Sequence, residues 1–264
     1  MTTLTYAVAD SATMLRRNLK RMLRYPAMTA MIISVPVILL LLFVYVFGGT
    51  MGAGLGHLGD GRATYLRYVL PGIILLTLAT AATSTAVAVA MDMTGGIIAR
   101  FRTMAIARVA VLTGHVLGSM IQSLLGIALV IGVAAAVGYR TSAGLLAWLG
   151  AIGLLVLITF AITWLSVALG LVSGSPETAS NLPMFLMLLP FLGSGFVPTS
   201  TMPAGLRWFA EYQPFTPVIQ TVRGLLTGEP IGDNAIMAVA WGVGIAALSY
   251  LWARRLYRRP MQAR

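Results

Sequence analysis

Six apolar stretches, at about 27–48, 68–91, 107–137, 144–172, 179–197 and 235–253, constrain this chain more than any motif it carries. Each is near or above the ~20 residues an α-helix needs to cross the hydrocarbon core of a bilayer. Charged residues are 9% of the 264-residue chain, hydrophobic residues 58%, and the mean hydropathy is +0.89. A soluble domain is about 25% charged. So few charges cannot cover a water-soluble globule, and lipid is the natural solvent. The expected fold is an all-α membrane protein with six transmembrane helices. The connections leave no room for a separate soluble domain, so residues 1–264 read as one transmembrane unit.

The loops orient these spans. Arg16, Arg17, Lys20, Arg21 and Arg24 precede the first stretch; Arg100, Arg102 and Arg108 separate the second from the third; Arg254, Arg255, Arg258, Arg259 and Arg264 lie in the tail. The alternate loops hold only Arg62, Arg67, Arg140, Arg207 and Arg223. The positive-inside rule then predicts a multi-pass protein of the cell membrane with both termini cytoplasmic, as an even number of spans also requires. The third and fourth stretches are long enough to tilt or project. Pro36, Pro183 and Pro190 fall inside spans, where packed neighbours can satisfy freed backbone groups. GxxxG pairs at Gly114–Gly118 and Gly170–Gly174 offer close helix contacts.

Residues 4–24 repeat Leu4, Val8, Ala12, Leu15, Leu19 and Met22 at helical steps, with the basic cluster filling the last turns. The pattern predicts an amphipathic helix on the cytoplasmic leaflet, against anionic lipid, in preference to a solvated tail. Met1–Tyr25 does not read as a signal peptide, because the apolar run that follows is too long and lacks a small-residue cleavage site.

Several chemistries find little support in the sequence. The net charge of +11 sits at the ends of apolar runs and not on a groove-sized surface, which argues against a nucleic-acid partner. There is no cysteine, hence no disulfide or thiolate metal site. The only lysine, Lys20, has no glycine-rich loop around it, so the chain has no Walker A phosphate cradle. Asp10, Asp60, Asp92, Glu177, Glu211, Glu229 and Asp233 all fall in loops or at span ends, whereas an ion-coupled carrier keeps a carboxylate within its spans. Gly54–Gly59 reads GxGxxG but follows a membrane span in place of a strand. His57 and His115 stand apart from any ligand cluster or acid partner.

Two connections depart from plain linkage. The cytoplasmic segment from Asp92 to Arg108 opens with a helix-capping aspartate and the Gly95-Gly96 break, then sets Ile97, Phe101 and Met104 on one face beside Arg100 and Arg102. It reads either as an interfacial linker or as a docking helix for a partner's groove. The outward stretch Ser194–Asn234 is too apolar for a solvated loop and too Pro-broken for a spanning pair. A re-entrant or interfacial hairpin fits, with Trp208, Phe209 and Tyr212 at headgroup level.

With these segments in view, the chain resembles the permease subunits of type-2 ABC exporters, in the branch similar to daunorubicin-resistance permeases. The matching stretches are Arg16-Arg17-Asn18-Leu19, Arg24-Tyr25-Pro26, Tyr45-Val46-Phe47-Gly48-Gly49, and Pro71-Gly72 opening the second span. Phe196-Val197-Pro198, Met202-Pro203, Gln213-Pro214, Thr216-Pro217 and Arg223-Gly224 follow in order. Ala105 departs from the proline that relatives commonly place there.

The resemblance implies a coupling segment at 92–106, with Asp92, Gly95, Gly96, Ile97, Arg100, Phe101 and Arg102 meeting the ATPase. It implies an outward hairpin at 198–234, carried by Phe196, Pro198, Met202, Pro203, Trp208, Pro214, Pro217 and Arg223. It further implies two ATPase subunits per complex, ATP and Mg bound on them and none on this chain, and a second permease copy or a sister permease. The spans hold no evident buried charge, so a hydrophobic or amphipathic drug or antibiotic is the expected cargo. A lipid or glycolipid exporter and an ion-coupled carrier are the alternatives.

Overall fold

The computed structural model describes Arg24 and residues 26–54, 61–94 and 108–258. Among these the secondary structure is helical, without a strand. Helix α1 (Pro26–Leu42) passes through a π-helical turn (Phe43–Phe47) into α2 (Gly48–Gly54). Then come α3 (Gly61–Thr94), α4 (Arg108–Val137), α5 (Leu145–Val172), and the short α6 (Pro176–Asn181) and α7 (Met184–Leu188). A 3-10 turn (Thr199–Thr201) leads to α8 (Ala204–Tyr212), α9 (Phe215–Thr227) and α10 (Asn234–Arg258).

Among the described residues five helical segments are long and apolar enough to cross a membrane: Ile33–Ala53, Gly61–Thr94, Thr113–Val137, Leu145–Val172 and Asn234–Tyr257. The fifth apolar stretch differs from the single helix its hydropathy suggests. Across 179–197 the chain forms the end of α6, the five-residue α7 and a run of turns. The physical reason lies in Pro183 and Pro190, which lack the N–H that an unbroken helix needs.

Helix α3 is the hub. Its 34 residues span roughly 51 Å at 1.5 Å per residue, well beyond a ~30 Å hydrocarbon core. From Val69 to Ala79 every residue is buried, and α1, α4, α5 and α9 pack around it. It also starts at Gly61, earlier than the apolar window. Pro71 and Gly72 are therefore interior residues of the helix and do not open it. The polar first turns, with Arg62 and Arg67, fall outside a hydropathy window yet continue the same helix.

Several hydroxyls inside the bundle bond to the carbonyl one turn back, as an apolar surrounding favours, although Thr83 and Thr159 do not. Thr77 donates to the Ile73 carbonyl at 2.8 Å, Thr85 to Ala81 at 3.0 Å, Ser166 to Ile162 at 2.7 Å and Ser173 to Leu169 at 2.7 Å. Helix α5 comes close to α3 at Gly170, where an added Cβ would lie 2.6 Å from the Ala86 carbonyl oxygen. Its GxxxG partner Gly174 has open space around it.

Candidate functional site

Two polar clusters occupy opposite ends of α3. The first surrounds the break in the fifth apolar stretch. Turns 189–197 leave backbone groups without helical partners, and buried irregular backbone is stable only when side chains replace those partners. Gln213, just before α9, donates from Nε2 to the Leu189 carbonyl at 3.1 Å and to Thr216 Oγ1 at 2.9 Å. Its own Oε1 accepts from the Phe215 N–H at 3.0 Å. Thr216 Oγ1 in turn accepts the Ser194 N–H at 3.3 Å. Arg223 Nη2 donates to the Ser194 carbonyl at 2.6 Å, and Tyr65 OH to the Phe196 carbonyl at 3.3 Å.

The same arginine ties α9 to α3. Arg223 Nη2 and Nε reach the Tyr68 carbonyl at 3.0 and 3.3 Å, and the guanidinium carbon lies 3.8 Å from the Tyr68 ring centroid. Below this clamp the backbones of α3 and the broken stretch touch: a Cβ on Gly72 would lie 2.6 Å from the Gly195 carbonyl oxygen. Phe196 stacks on Phe191 at 4.3 Å and meets Phe43 of the π-turn at 4.7 Å. Thr141, after α4, donates to the Leu226 carbonyl at 2.5 Å and joins a third connection to the same assembly. Beside it, burial pushes the Tyr139 phenol above its ordinary value, against a hydrogen bond with Thr141 that lowers it.

The other residues expected in the outward hairpin occupy varied places. Pro198 precedes the 3-10 turn, Pro203 precedes α8 and Pro214 precedes α9. Pro217 is buried within α9, and Met202 is half-buried. Trp208 and Tyr212 are exposed and lie 5.8 Å apart on α8. Arg207 donates to the Thr199 carbonyl at 3.2 Å and to that of Ser200, closing the 3-10 turn onto α8.

The second cluster lies at the far end of α3, roughly 36 Å from Tyr68 along the helix axis. His115 Nε2 and Asp92 Oδ2 are 3.0 Å apart, and both residues are buried. Two sequence expectations change here. Asp92 belongs to the last turn of α3 and does not begin a separate short helix, and His115 has an acid partner. The expectation of spans without buried ionisable groups also fails at this pair. Across the neighbouring connection, Ser175 caps α6 by accepting the Thr178 N–H at 3.2 Å. Its hydroxyl is the larger cause holding the exposed Glu177 carboxyl below its ordinary value, with a backbone hydrogen bond second. Among the described residues no group of three or more His, Asp and Glu side chains could hold a metal ion.

Of the expected coupling residues only Asp92 is described; Gly95, Gly96, Ile97, Arg100, Phe101 and Arg102 lie outside the described residues. So do Arg16, Arg17, Lys20 and Arg21 of the expected interfacial helix, whereas Arg24 is described and exposed. Sequence reading missed Tyr65, Tyr68 and His115. The tyrosines stand one helical turn apart before Pro71, which was a usable signal, but nothing local marks His115 as the partner of a residue 23 positions away.

A helical bundle with several apolar helices of bilayer length is that of a multi-pass membrane protein. The ABC-2 type transporter family matches residues 11–227, and the chain belongs to that family. It is 27% identical over 253 residues to the daunorubicin resistance ABC transporter permease protein DrrB1 of Streptomyces coeruleorubidus, covering 96% of this chain and 87% of that protein. It is 24% identical over 191 residues to the probable doxorubicin resistance ABC transporter permease protein DrrC of Mycobacterium tuberculosis, covering 72% of this chain and 69% of that one.

Proposed function

We propose that this chain is the transmembrane subunit of an ATP-driven exporter that moves hydrophobic or amphipathic compounds of the drug or antibiotic class out of the cell. The observation that carries this reading is the likeness, along 96% of the chain, to a permease named for daunorubicin resistance. The sequence has no Walker A lysine, so ATP and Mg belong to a separate ATPase subunit, two per complex. Two permeases, identical or paired with a sister chain, enclose the pathway.

In this reading residues 1–264 form one domain that crosses the cell membrane six times, with both termini cytoplasmic. The broken stretch at 179–197 and the hairpin at 198–234 together make the fifth crossing and an outward re-entrant element, with Trp208 and Tyr212 of α8 at headgroup level. Residues 4–24 lie along the inner leaflet, and 92–106 receives the push of the ATPase pair as it closes on ATP. Helix α3 carries that push. It leaves the coupling segment at Asp92 and, at its other end, holds the hairpin through Tyr65 and Tyr68. A coupling of a few kcal/mol is enough to invert a two-state population.

The test is reconstitution with the ATPase subunit in liposomes, following ATP-dependent daunorubicin accumulation. Accumulation that needs both subunits and hydrolysable ATP is expected. Daunorubicin movement by the permease alone on an ion gradient would overturn the reading, and movement of labelled phospholipid in place of daunorubicin would reassign the cargo to lipid.

A further inference from the structure

We propose that Asp92 and His115 are a positioning pair that clamps together the two helix ends from which the coupling segment leaves, so that α3 and α4 respond to the ATPase as one body. The proposal rests on the reading that the segment following Asp92 docks the ATPase subunit.

The observations that carry it are geometric. Asp92 is in the last turn of α3 and His115 is near the start of α4; their Oδ2 and Nε2 atoms are 3.0 Å apart. The residues are 5% and 4% exposed, so neither side chain can exchange its partner for bulk water. An ionised carboxylate only accepts hydrogen bonds, so the imidazole nitrogen facing it is the one that carries the proton. A buried ion or dipole stripped of its partner is strongly disfavoured, and this makes the pair a bond across the base of the segment and not a casual contact.

The surroundings suit a rigid joint. Val89 on α3, Val116 on α4, and Trp164, Val167 and Ala168 on α5 form one buried cluster. Gly114 and Gly118, on either side of His115, are buried as well. At Gly170 the α5 backbone lies against Ala86 and Val89 without room for a Cβ. Such a joint has no slack to absorb a displacement locally. A push on residues between Asp92 and His115 therefore reaches the hairpin clamp through α3. Without the pair, α3 and α4 are held together at this end by apolar packing and by the chain between them.

The experiment uses the full permease in lipid nanodiscs with its ATPase subunit. It reads two quantities: the Kd of the ATPase subunit in MgATP, and daunorubicin moved per ATP hydrolysed in matching proteoliposomes. Asp92→Ala and His115→Ala are expected to raise the Kd about tenfold, the scale of one lost buried hydrogen bond, and to lower the transport ratio by a similar factor. Asp92→Asn keeps an acceptor for the imidazole N–H and should stay within about threefold of the parent. The exchange Asp92→His with His115→Asp should recover most of the loss.

Should an alanine variant be lost from the membrane, the asparagine and exchange variants carry the test alone. Parent-like values in the alanine variants would overturn the clamp, as would an Asp92→Asn variant as impaired as Asp92→Ala, because charge and not position would then be the requirement. If the unaltered permease bound no ATPase subunit at all, the functional reading itself would fail and the clamp with it.

Discussion

Arg223 of α9 sits 3.8 Å from the centre of the Tyr68 ring while donating to the Tyr68 carbonyl and, at 2.6 Å, to that of Ser194. One guanidinium thus joins three elements: the hairpin helix that carries it, the central helix, and the turn where the fifth apolar stretch breaks. Lysine offers a point charge and cannot supply the planar fork that reaches two carbonyls and a ring face together. Arg223→Leu should lower the unfolding free energy by roughly 1–3 kcal/mol, because the Ser194 carbonyl stays buried without a donor. Arg223→Lys should recover only part of that. The midpoint of thermal unfolding in detergent, compared across the three proteins, checks the order.

Gln213 makes a sharper case, since one amide uses both ends. Its Nε2 donates to Leu189 and Thr216 while its Oε1 accepts from Phe215. Gln213→Glu keeps the shape but sets a carboxylate oxygen against the Leu189 carbonyl oxygen, two acceptors facing each other. Gln213→Glu should therefore be more damaging than Gln213→Ala, which costs roughly 1–3 kcal/mol. Hydrogen exchange at Leu192 and Ser194 should quicken in both and most in the glutamate variant. Equal protection in the two would refute the amide's role.

The GxxxG glycines, Gly170 within α5 and Gly174 just past its end, give an internal control. A Cβ at Gly170 would lie 2.6 Å from the Ala86 carbonyl oxygen and 2.9 Å from the Val89 Cβ, whereas Gly174 meets nothing within 4 Å. Gly170→Ala must push helices apart and should destabilise by roughly 1–3 kcal/mol. Gly174→Ala should change the unfolding midpoint little. An equal shift in both would mean that the close approach of α3 and α5 is not what Gly170 supplies.

These residues also mark where sequence reading stops. Long apolar runs show in hydropathy, so α3, α4, α5 and α10 are legible from the sequence. Their ends are not, because Gly61–Arg67 continues α3 with residues no hydropathy window admits. Nor does hydropathy tell interior from lipid-facing surface, since both are apolar in a bilayer. The run of small residues from Thr77 to Ala90 was the better mark of the central helix. Pro183 and Pro190 read as tolerated inside a fifth span and instead break it, and what stabilises the break is Gln213 and Arg223, separated from their carbonyl partners by 24 and 29 positions. His115 and Asp92 pair across 23 positions, beyond the reach of any helical period.

The coupling segment carries its own prediction. If Phe101 and Arg100 enter a groove on the ATPase subunit, Phe101→Ala and Arg100→Ala should each abolish daunorubicin export while the permease remains in the membrane at normal abundance. A buried aromatic or arginine anchor is worth about 2 kcal/mol or more at an interface, enough to lower ATPase binding roughly thirtyfold. Full export by both variants would remove the segment from the coupling route.

The proposed orientation of the bundle rests on loop charge, and the chain's lack of cysteine makes it directly measurable. Single cysteines placed at exposed positions give a background-free readout with a membrane-impermeant maleimide on intact cells. Ser142 and Gly205 are exposed, the first between α4 and α5 and the second at the start of α8. Glu177 and Arg255 are exposed in α6 and near the end of α10. The cytoplasmic-termini topology expects Ser142→Cys and Gly205→Cys to react in intact cells, and Glu177→Cys and Arg255→Cys only after lysis. The result also counts crossings. If 179–197 failed to carry the chain across, positions 177 and 205 would report the same side, and the six-span arrangement would give way to five helices with the hairpin on the inner face.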